Sequence, residues 1–342
     1  MKLIYTTDES PGISRRKRFG PAKLAFGFFV YVEATGKKVR EAETLARIKK
    51  LGIPPKWSEV WICAAANGHL QATGRDARGR KQYIYHADWT AKQDEKKFHR
   101  LLDFAKSLSP IRRIVARDFS LNDLTKEKVL AAIVKLLDNE YVRIGNDEYA
   151  EENGTYGLTT LENRHVKGTG EQMRLVFKGK EGIVHEVPLH DARLRAVVSA
   201  CQDLPGHELF EYVDDTGAAH DIKSTDVNEY LQEMAKREVT AKDFRTWHGT
   251  VIVAEYLWRP GSTADSLTKL ELRRNVKAAI DCAAEALGNT SAVCKRSYIH
   301  PEIIERYLEQ RFKWREPKLS SAKKYPHLKR HELALVEWLE KI

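Results

Sequence analysis

Long apolar runs are missing from this chain of 342 residues. The longest run, at residues 24–32, is far too short to cross a bilayer, which takes about 20 residues. The first eight residues also lack the apolar core of a signal peptide. We therefore expect a protein that works in the cytoplasm and has no membrane partner.

Cysteine is scarce as well. No two of the four cysteines are spaced as Cys-x-x-Cys, and each lies in an apolar or helical stretch. This pattern predicts reduced thiols in the protein core and a cytosol-like compartment. The four residues are Cys63, Cys201, Cys282 and Cys294.

Several common catalytic signatures are absent from the sequence. There is no Gly-x-Ser-x-Gly elbow, and no acidic cluster suggests a two-metal nuclease. The His-Glu pair at 331–332 lacks the second histidine that a zinc-protease helix requires. The sequence around Lys180 is not a phosphate-binding loop, because Arg174 and Glu181 occupy positions that need Gly and Ser or Thr.

Positive charge, in contrast, is in excess. The chain has 58 Lys and Arg against 48 Asp and Glu, a formal net charge of +10. Such an excess in a folded chain favours a polyanionic partner, most often nucleic acid, although an ordinary basic protein is the simpler alternative. Its 42% hydrophobic and 9% aromatic residues are typical of a globular protein.

Turn residues and apolar periodicity predict an α+β fold in three parts. Residues 1–19 read as a mobile basic arm, because they are polar and carry four consecutive cations at 15–18. Residues 20–88 read as a small β-sheet domain with one helix at 41–51, and residues 89–342 as a larger, mainly α-helical domain with a basic C-terminal tail.

The helical pattern of the larger domain is interrupted by a three-stranded β-element. Its predicted strands lie at 156–161, 172–178 and 184–189. The sequence Gly-Lys-Glu-Gly at 179–182 is typical of a tight turn, so the last two strands should form a hairpin with Lys180 at its tip.

Tyr298 is the most informative residue, because it closely follows two cations, Lys295 and Arg296. A free tyrosine has a pKa near ~10 and is a poor nucleophile at neutral pH. To attack a phosphodiester it needs fixed positive charge around the phosphate and a proton donor for the leaving oxygen. The upstream candidates for these roles are Arg143, Lys180, Arg245 and Asn289.

Each of these candidates has an ordinary structural alternative. Arg143 suits a surface ion pair, Lys180 a solvated turn, and Arg245 a salt bridge to the acid two residues before it. Asn289 suits a helix cap, and Tyr298 suits a core position as one of 13 tyrosines. Taken singly, each alternative is the commoner outcome, so the functional interpretation depends on the ordered set.

The ordered set consists of Val142-Arg143-Ile144-Gly145, the hairpin Lys180, Lys242-Asp243-Phe244-Arg245-Thr246, Gly288-Asn289-Thr290 and Lys295-Arg296-Ser297-Tyr298. It resembles the catalytic domain of type IB DNA topoisomerases, in the compact branch found in poxviruses and many bacteria. The small domain shares the resemblance through Ile53-Pro54-Pro55-Lys56-Trp57 and the Gly-Arg-Asp-Ala-Arg-Gly-Arg-Lys-Gln-Tyr run at 74–83. The resemblance covers about residues 24–305.

The resemblance implies the catalytic fold shared by tyrosine recombinases and type IB topoisomerases, and a role for each candidate. Tyr298 would attack phosphorus and form a 3′-phosphotyrosyl bond, and Lys180 would protonate the leaving 5′ oxygen. The non-bridging oxygens would be held by Arg143, Arg245 and Asn289. Supercoiled DNA would be relaxed by rotation and resealing, with no ATP, metal or other cofactor.

The resemblance also implies a partner, double-stranded DNA, which a monomer would clamp, and a place with the nucleoid in the cytoplasm. The DNA-binding candidates are Arg75, Arg78, Arg80, Lys81, Gln82, Tyr83 and, in the larger domain, Tyr149. The viral and eukaryotic branches carry His where this chain has Asn289, whereas the bacterial branch carries Asn. An amide can donate an N–H to a phosphate oxygen but cannot carry charge.

Two other functions remain open at this point. A tyrosine site-specific recombinase uses the same chemistry, but recombinases usually have His where this chain has Lys242, and they lack the small-domain motifs. A non-catalytic DNA-binding descendant of either family would have lost a site residue, and here all five are present.

Overall fold

A computed structural model describes residues 2–18, 28–258, 267–312 and 315–342. The chain divides into two compact units, Met1–Lys97 and Phe98–Ile342. The first holds an antiparallel sheet and the second is mainly helical, so the predicted α+β fold class is confirmed. Within the described residues, none of the helices combines the length and the apolar character needed to span a bilayer.

The smaller unit is a five-stranded antiparallel sheet with one helix. Strand order is β2-β1-β3-β4-β5, and a compact apolar core includes Ile13, Ile48 and Ile62. The elements are β1 Gly12–Arg18, β2 Phe28–Val32, α1 Ala42–Lys50, β3 Ser58–Cys63, β4 Leu70–Arg75 and β5 Lys81–Tyr85. Of the apolar run at 24–32, residues 24–27 lie outside the described part of the chain.

The prediction of a mobile basic arm is wrong for residues 12–18, which form β1 between β2 and β3. Ile13 is buried in the small core, and the Arg15 guanidinium donates to the Ile53 carbonyl at 3.2 Å and the Trp57 carbonyl at 2.7 Å. The same guanidinium lies 4.2 Å from the centre of the Phe29 ring. A run of cations resembles a solvated arm in composition, but here one of them satisfies backbone carbonyls inside the unit.

Helices follow the sheet, and most of them pack around one large apolar core. They are α2 Ala87–Asp118, α3 Lys126–Asn139, α4 Asp147–Asn153, α5 Ala192–Gln202, α6 Ser224–Ala235, α7 Ala241–Leu257, α8 Lys269–Ala286, α9 Ser291–Tyr298, α10 Pro301–Leu308, α11 Leu319–Lys324 and α12 Arg330–Leu339. The predicted basic tail therefore includes helices, and α12 contributes Leu333, Leu335 and Val336 to the core because apolar residues alternate with its charges.

Two small sheets accompany the helices. The three-stranded one has the order β6-β7-β8, from Val166–Lys167, Arg174–Lys178 and Val184–Pro188, so the predicted β-element and its hairpin are confirmed. Its first strand is not at 156–161 as predicted. There the Thr160 hydroxyl accepts from the Gly157 N–H at 3.0 Å and closes a 3₁₀ turn, Leu158–Thr160. The two-stranded sheet, β9 Glu211–Val213 and β10 Ala219–Asp221, was not predicted.

All four cysteines are free thiols, as predicted. Three of them are buried, but the prediction of a core position is wrong for Cys282, which is exposed on α8. The helix places its apolar residues Ala279, Ile280 and Ala283 toward the core, and Cys282 falls on the opposite face.

Candidate active site

A cleft of about 500 Å³ in the larger unit is lined by four of the five predicted catalytic residues. Each comes from a different segment of the fold. Arg143 lies in the loop after α3, Lys180 in the turn between β7 and β8, Arg245 in α7, and Tyr298 is the last residue of α9. The fifth, Asn289, lies between α8 and α9 and joins the site through Arg143.

One guanidinium connects three of the candidates. Arg143 Nη1 donates to Tyr298 Oη at 2.9 Å, and Arg143 Nη2 donates to Asn289 Oδ1 at 2.6 Å. Arg143 is thus not a surface ion-pair partner. Its planar fork fixes the phenol oxygen and the amide at a set separation, which a single ammonium could not do.

Arg245 approaches the same tyrosine from another side. Its guanidinium carbon lies 5.0 Å from the centre of the Tyr298 ring, and its side chain is almost fully buried. The guanidinium donates to the carbonyl oxygens of Tyr141 and, at 2.6 Å, of Leu287. The alternative of a salt bridge to Asp243 fails, because that carboxylate accepts from the N–H and hydroxyl of Thr240 and caps α7.

The Nε of Arg245 is buried and has no hydrogen-bond partner within the described residues. An unsatisfied buried donor costs about 1–3 kcal/mol. Such a cost is tolerated at functional sites, where a ligand can accept the bond. Arg245 also lines the cleft, so its guanidinium lies beside the space that a ligand would occupy.

Burial and charge act in opposite directions on the nucleophile candidate. Burial alone would raise the pKa of Tyr298, but the positive charges of Arg245 and Arg143, and the hydrogen bond from Arg143, hold the pKa below its ordinary value. Burial, and then the charge of Arg143, lower the pKa of Arg245 to about 10, so Arg245 remains charged at neutral pH. The site therefore stabilises a phenolate.

Backbone packing holds the Arg143 loop in place. The Leu158 N–H donates to the Arg143 carbonyl at 3.0 Å, and the Thr159 N–H donates to the Ile144 carbonyl at 2.7 Å. Gly145 has a φ of +112°. A Cβ on Gly157 would lie 2.4 Å from the backbone nitrogen of Gly145. Both positions therefore need glycine for this close approach.

The corner between α8 and α9 places Asn289 beside Arg143. Gly288, with a φ of +58°, ends α8, and the Thr290 hydroxyl accepts from the Val293 N–H at 3.3 Å and caps α9. The helix-cap alternative for Asn289 therefore fails, because Thr290 is the cap. The Asn289 amide instead accepts from Arg143 and donates to the Leu287 carbonyl at 3.2 Å.

Lys180 lies at the edge of the same cleft, on a short 3₁₀ turn, Lys180–Gly182. Its side chain is exposed, and none of the described hydrogen bonds joins it to the other four candidates. The hairpin thus presents an amine to the cleft without fixing it in place.

The cleft also contains two cations that were not predicted as site residues, Lys242 and Arg296. Lys242 precedes Arg245 by three residues on α7, which places the two on one helix face. Arg296 precedes Tyr298 by two residues on α9. The helical spacing around Arg245 and the cations beside Tyr298 were the signals in the sequence that could have identified them.

The DNA-binding candidates of the smaller unit are largely paired with acids. Lys81 Nζ lies 2.7 Å from Asp8, and Arg75 Nε lies 2.9 Å from Glu59. Asp76 organises the loop between β4 and β5, because it accepts from Arg80 Nε at 2.8 Å and Gln82 Nε2 at 3.0 Å and from the Arg78 N–H at 2.9 Å.

The two remaining candidates, Tyr83 and Tyr149, are aromatic residues of different units. Tyr83 is 48% exposed, and its ring stacks on Tyr85 with centroids 6.1 Å apart. Lys81 lies 5.6 Å from the centre of the Tyr83 ring. Tyr149 belongs to α4, but its side chain lies outside the described residues.

Comparison with known families identifies two matching regions. The family model of the eukaryotic DNA topoisomerase I catalytic core matches residues 86–325. A second model, of the N-terminal domain of bacterial DNA topoisomerase IB, matches residues 28–76. Together they cover parts of both compact units.

Curated relatives point the same way. The chain is 29% identical over 283 residues to DNA topoisomerase 1B of Acanthamoeba polyphaga mimivirus. The matched region covers 82% of this chain and 84% of that relative. It is 23% identical over 241 residues to DNA topoisomerase 1B of vaccinia virus, strain Copenhagen, covering 70% and 73%. It is 23% identical over 265 residues to DNA topoisomerase 1 of Mycosarcoma maydis, covering 68% of this chain and 25% of that protein.

Proposed function

This chain belongs to the type IB DNA topoisomerases, and we propose that it cleaves one strand of duplex DNA with Tyr298 as the nucleophile. The observation that carries this assignment is the pair of hydrogen bonds from Arg143 to Tyr298 Oη and to Asn289 Oδ1, at 2.9 and 2.6 Å. They join the guanidinium of Arg143 to a phenol and an amide that lie 155 and 146 residues further along the chain.

The cleavage step exchanges one phosphoester for another. Tyr298 Oη gives its proton to solvent and forms a bond to phosphorus, while the bond from phosphorus to the 5′ oxygen breaks. Lys180 gives its proton to that 5′ oxygen, so the products are a 3′-phosphotyrosyl linkage and a 5′-hydroxyl. After the strand has rotated, the 5′-hydroxyl attacks phosphorus and returns its proton to Lys180, the tyrosyl oxygen leaves as a phenolate, and the backbone is resealed.

Fixed donors stabilise the charge that builds on the phosphate in this step. The two arginines surround Tyr298, and Arg245 has its unpartnered Nε in the same region. The amide nitrogen of Asn289 has two N–H groups, one of which donates to the Leu287 carbonyl. We assign its second N–H to a non-bridging oxygen, an oxyanion-hole role.

The proposed reaction needs neither a metal ion nor a nucleotide. The phosphotyrosyl bond conserves the energy of the phosphodiester, and the described side chains supply the nucleophile, the acid and the anion-stabilising charge.

Duplex DNA is the substrate, and we propose that the chain acts as a monomer that clamps it, in the cytoplasm and associated with the nucleoid. The formal charge of +10 supports binding to a polyanion. The stacked Tyr83 and Tyr85 and the cations of loop 75–81 are the proposed contacts of the smaller unit. Tyr149 is proposed as a contact of the larger one.

A plasmid assay separates this function from its alternatives. Purified wild-type protein should relax supercoiled plasmid in the presence of EDTA and without ATP, and Tyr298→Phe should bind the plasmid but leave it supercoiled. Strand exchange between two sites would instead indicate a recombinase. Retardation without relaxation would indicate a non-catalytic binder.

A further inference from the structure

The imidazole of His185 lies between two glycines that directly precede candidate catalytic residues. A Cβ on Gly179, next to Lys180, would lie 2.6 Å from His185 Cδ2. A Cβ on Gly288, next to Asn289, would lie 2.5 Å from His185 Cε1. The ring therefore occupies the space between the backbone of the hairpin turn and the backbone of the α8–α9 corner.

The ring is held in this position by the buried core. His185 is the direct antiparallel partner of Phe177 in the β7–β8 register. The two rings stack with centroids 5.2 Å apart and an interplanar angle of 17°, and Phe177 is only 4% exposed. The imidazole is thus a rigid spacer rather than a mobile surface group.

His185 acts through its shape rather than through a charge. Burial, and then the positive charges of Arg245 and Arg143, lower the pKa of His185. The ring is therefore neutral at physiological pH and adds no repulsion to the cations of the cleft.

We propose that His185 is a positioning residue that fixes the Lys180 hairpin against the Gly288–Asn289 corner. No described hydrogen bond joins Lys180 to the other four site residues, so the position of its amine depends on how the hairpin packs. A general acid must come within hydrogen-bond reach of the leaving oxygen, and a misplacement of about 1 Å can cost about 10²-fold in rate. This inference rests on the proposed role of Lys180 as that acid.

Gly179 reports on the contact more cleanly than Gly288 does. Gly288 has a positive φ, so a side chain there is strained whatever its neighbours. Gly179 has a φ of −88°, which any residue can adopt, and the nearest atoms to a Cβ there belong to His185. Gly179→Ala therefore adds one methyl group against the imidazole and little else.

The first experiment measures single-turnover cleavage at saturating DNA with ordinary and 5′-bridging phosphorothiolate substrates. A thiolate leaves without protonation, so Lys180→Ala should be strongly impaired on the ordinary substrate and largely restored on the phosphorothiolate. His185→Ala should be slowed about 10-fold or more on the ordinary substrate and restored in the same way, with unchanged DNA affinity. His190→Ala, an exposed histidine just after β8, is the control and should match wild type.

The outcomes separate the inference from the function on which it rests. If Lys180→Ala is not restored by the phosphorothiolate, the acid assignment itself is wrong. If Lys180→Ala is restored but His185→Ala cleaves like wild type, or is slowed equally on both substrates, the positioning role of His185 is wrong and the acid assignment stands.

A second experiment perturbs the same contact from the Gly179 side. Gly179→Ala should slow cleavage of the ordinary substrate, and the phosphorothiolate should restore it. The double variant Gly179→Ala/His185→Ala should be no slower than His185→Ala alone, because the clash has been removed. Additive losses in the double variant, or a Gly179→Ala protein as active as wild type, would overturn the proposal.

Discussion

At the scale of single residues, the reactivity of Tyr298 depends on two opposing influences. Burial disfavours the phenolate, whereas the charges of Arg245 and Arg143 favour it. The effect of the arginines is the larger one, so the pKa of Tyr298 is lowered. Without these cations, burial would raise the pKa of the tyrosine and make it a poorer nucleophile. Both arginines therefore make the phenol easier to deprotonate than an ordinary tyrosine.

Arg143→Ala should slow cleavage by about 10²-fold or more, the scale for losing one oxyanion-type donor. Since the charge of Arg143 lowers the pKa of Tyr298, its removal should also move the rise of the cleavage rate to higher pH. Arg143→Lys should recover only part of the rate, because one ammonium cannot reproduce the bonds to both Tyr298 Oη and Asn289 Oδ1. Single-turnover rates between pH 6 and pH 10 provide the test, and an unshifted profile would contradict the account.

Asn289→Asp separates the two halves of the amide. The aspartate keeps an acceptor for Arg143 Nη2, but it has no N–H and sets a negative charge against the phosphate. We expect cleavage to fall by about 10²-fold, whereas Asn289→His should remain active because it restores a donor. Thr290→Ala is the matched control, since it removes the α9 cap at a cost of about 1 kcal/mol of stability. A wild-type cleavage rate in the aspartate variant would show that Asn289 takes no part in cleavage.

At the scale of elements, α12 is tied to the catalytic helix α7 by a buried charge network. Arg112 donates to both oxygens of Glu332, at 2.6 and 2.8 Å, and to both oxygens of Asp138, at 2.7 and 2.9 Å. Trp247 Nε1 donates to Glu332 at 3.1 Å, and His248 Nε2 lies 3.0 Å from Asp138. These two residues follow Arg245 on α7, so the C-terminal helix helps to fix the helix that carries a catalytic arginine.

Glu332→Ala should destabilise the protein by about 3–5 kcal/mol, because it leaves part of the Arg112 charge buried without a partner. Burial would raise the pKa of Glu332, but Arg112 holds this pKa below its ordinary value. The ionised pair therefore stabilises the fold at pH values above the ordinary carboxyl pKa, and this stabilisation is lost as the pH falls through the lowered pKa. Glu302→Ala breaks an exposed pair with Arg306 and should cost at most about 0.5 kcal/mol. Urea unfolding at pH 7 measures the free energy of unfolding of both variants. An equal decrease in the two would contradict a stabilising role for the buried network.

At the scale of the whole molecule, a cluster of acids should make stability depend on pH. Burial, and then the charges of Asp221, Asp147, Glu162 and Glu211, raise the pKa of Glu208 to about 7. Burial, and then Asp221, also raise the pKa of Glu211. Because the folded state binds these protons more tightly than the unfolded one, the contribution of this cluster to stability should fall as pH rises from about 4.5 to about 7.

Glu208→Gln should flatten this fall and give a higher unfolding midpoint than wild type at pH 8, since an amide has no charge to bury. Urea midpoints at several values between pH 5 and pH 8 test the expectation. Glu233→Gln, which changes an exposed carboxylate on α6, is the control and should keep the wild-type slope. A Glu208→Gln slope equal to that of wild type would show that the cluster does not control this dependence.

Local patterns predicted the features that are set locally. The Gly179–Gly182 turn and its hairpin followed from turn chemistry, whereas the site residues followed from the resemblance of an ordered set of short motifs to type IB topoisomerases. The sequence misled where distant contacts decide the outcome, as for Arg15, which donates to carbonyls about 40 residues away. It gave no sign of the ion pair between Glu332 and Arg112, which are 220 residues apart. His185 gave no signal at all, because its role depends on two glycine backbones that meet only in the fold.

The identity of the residue that becomes joined to DNA tests the central claim most directly. Wild-type protein, incubated in EDTA with a DNA duplex that traps the cleaved state, should form a denaturant-resistant adduct. Mass spectrometry of its peptides should place the 3′-phosphoryl group on Tyr298, and Tyr298→Phe should form no adduct while binding DNA normally. An adduct on any other residue, or one formed by Tyr298→Phe, would contradict the account.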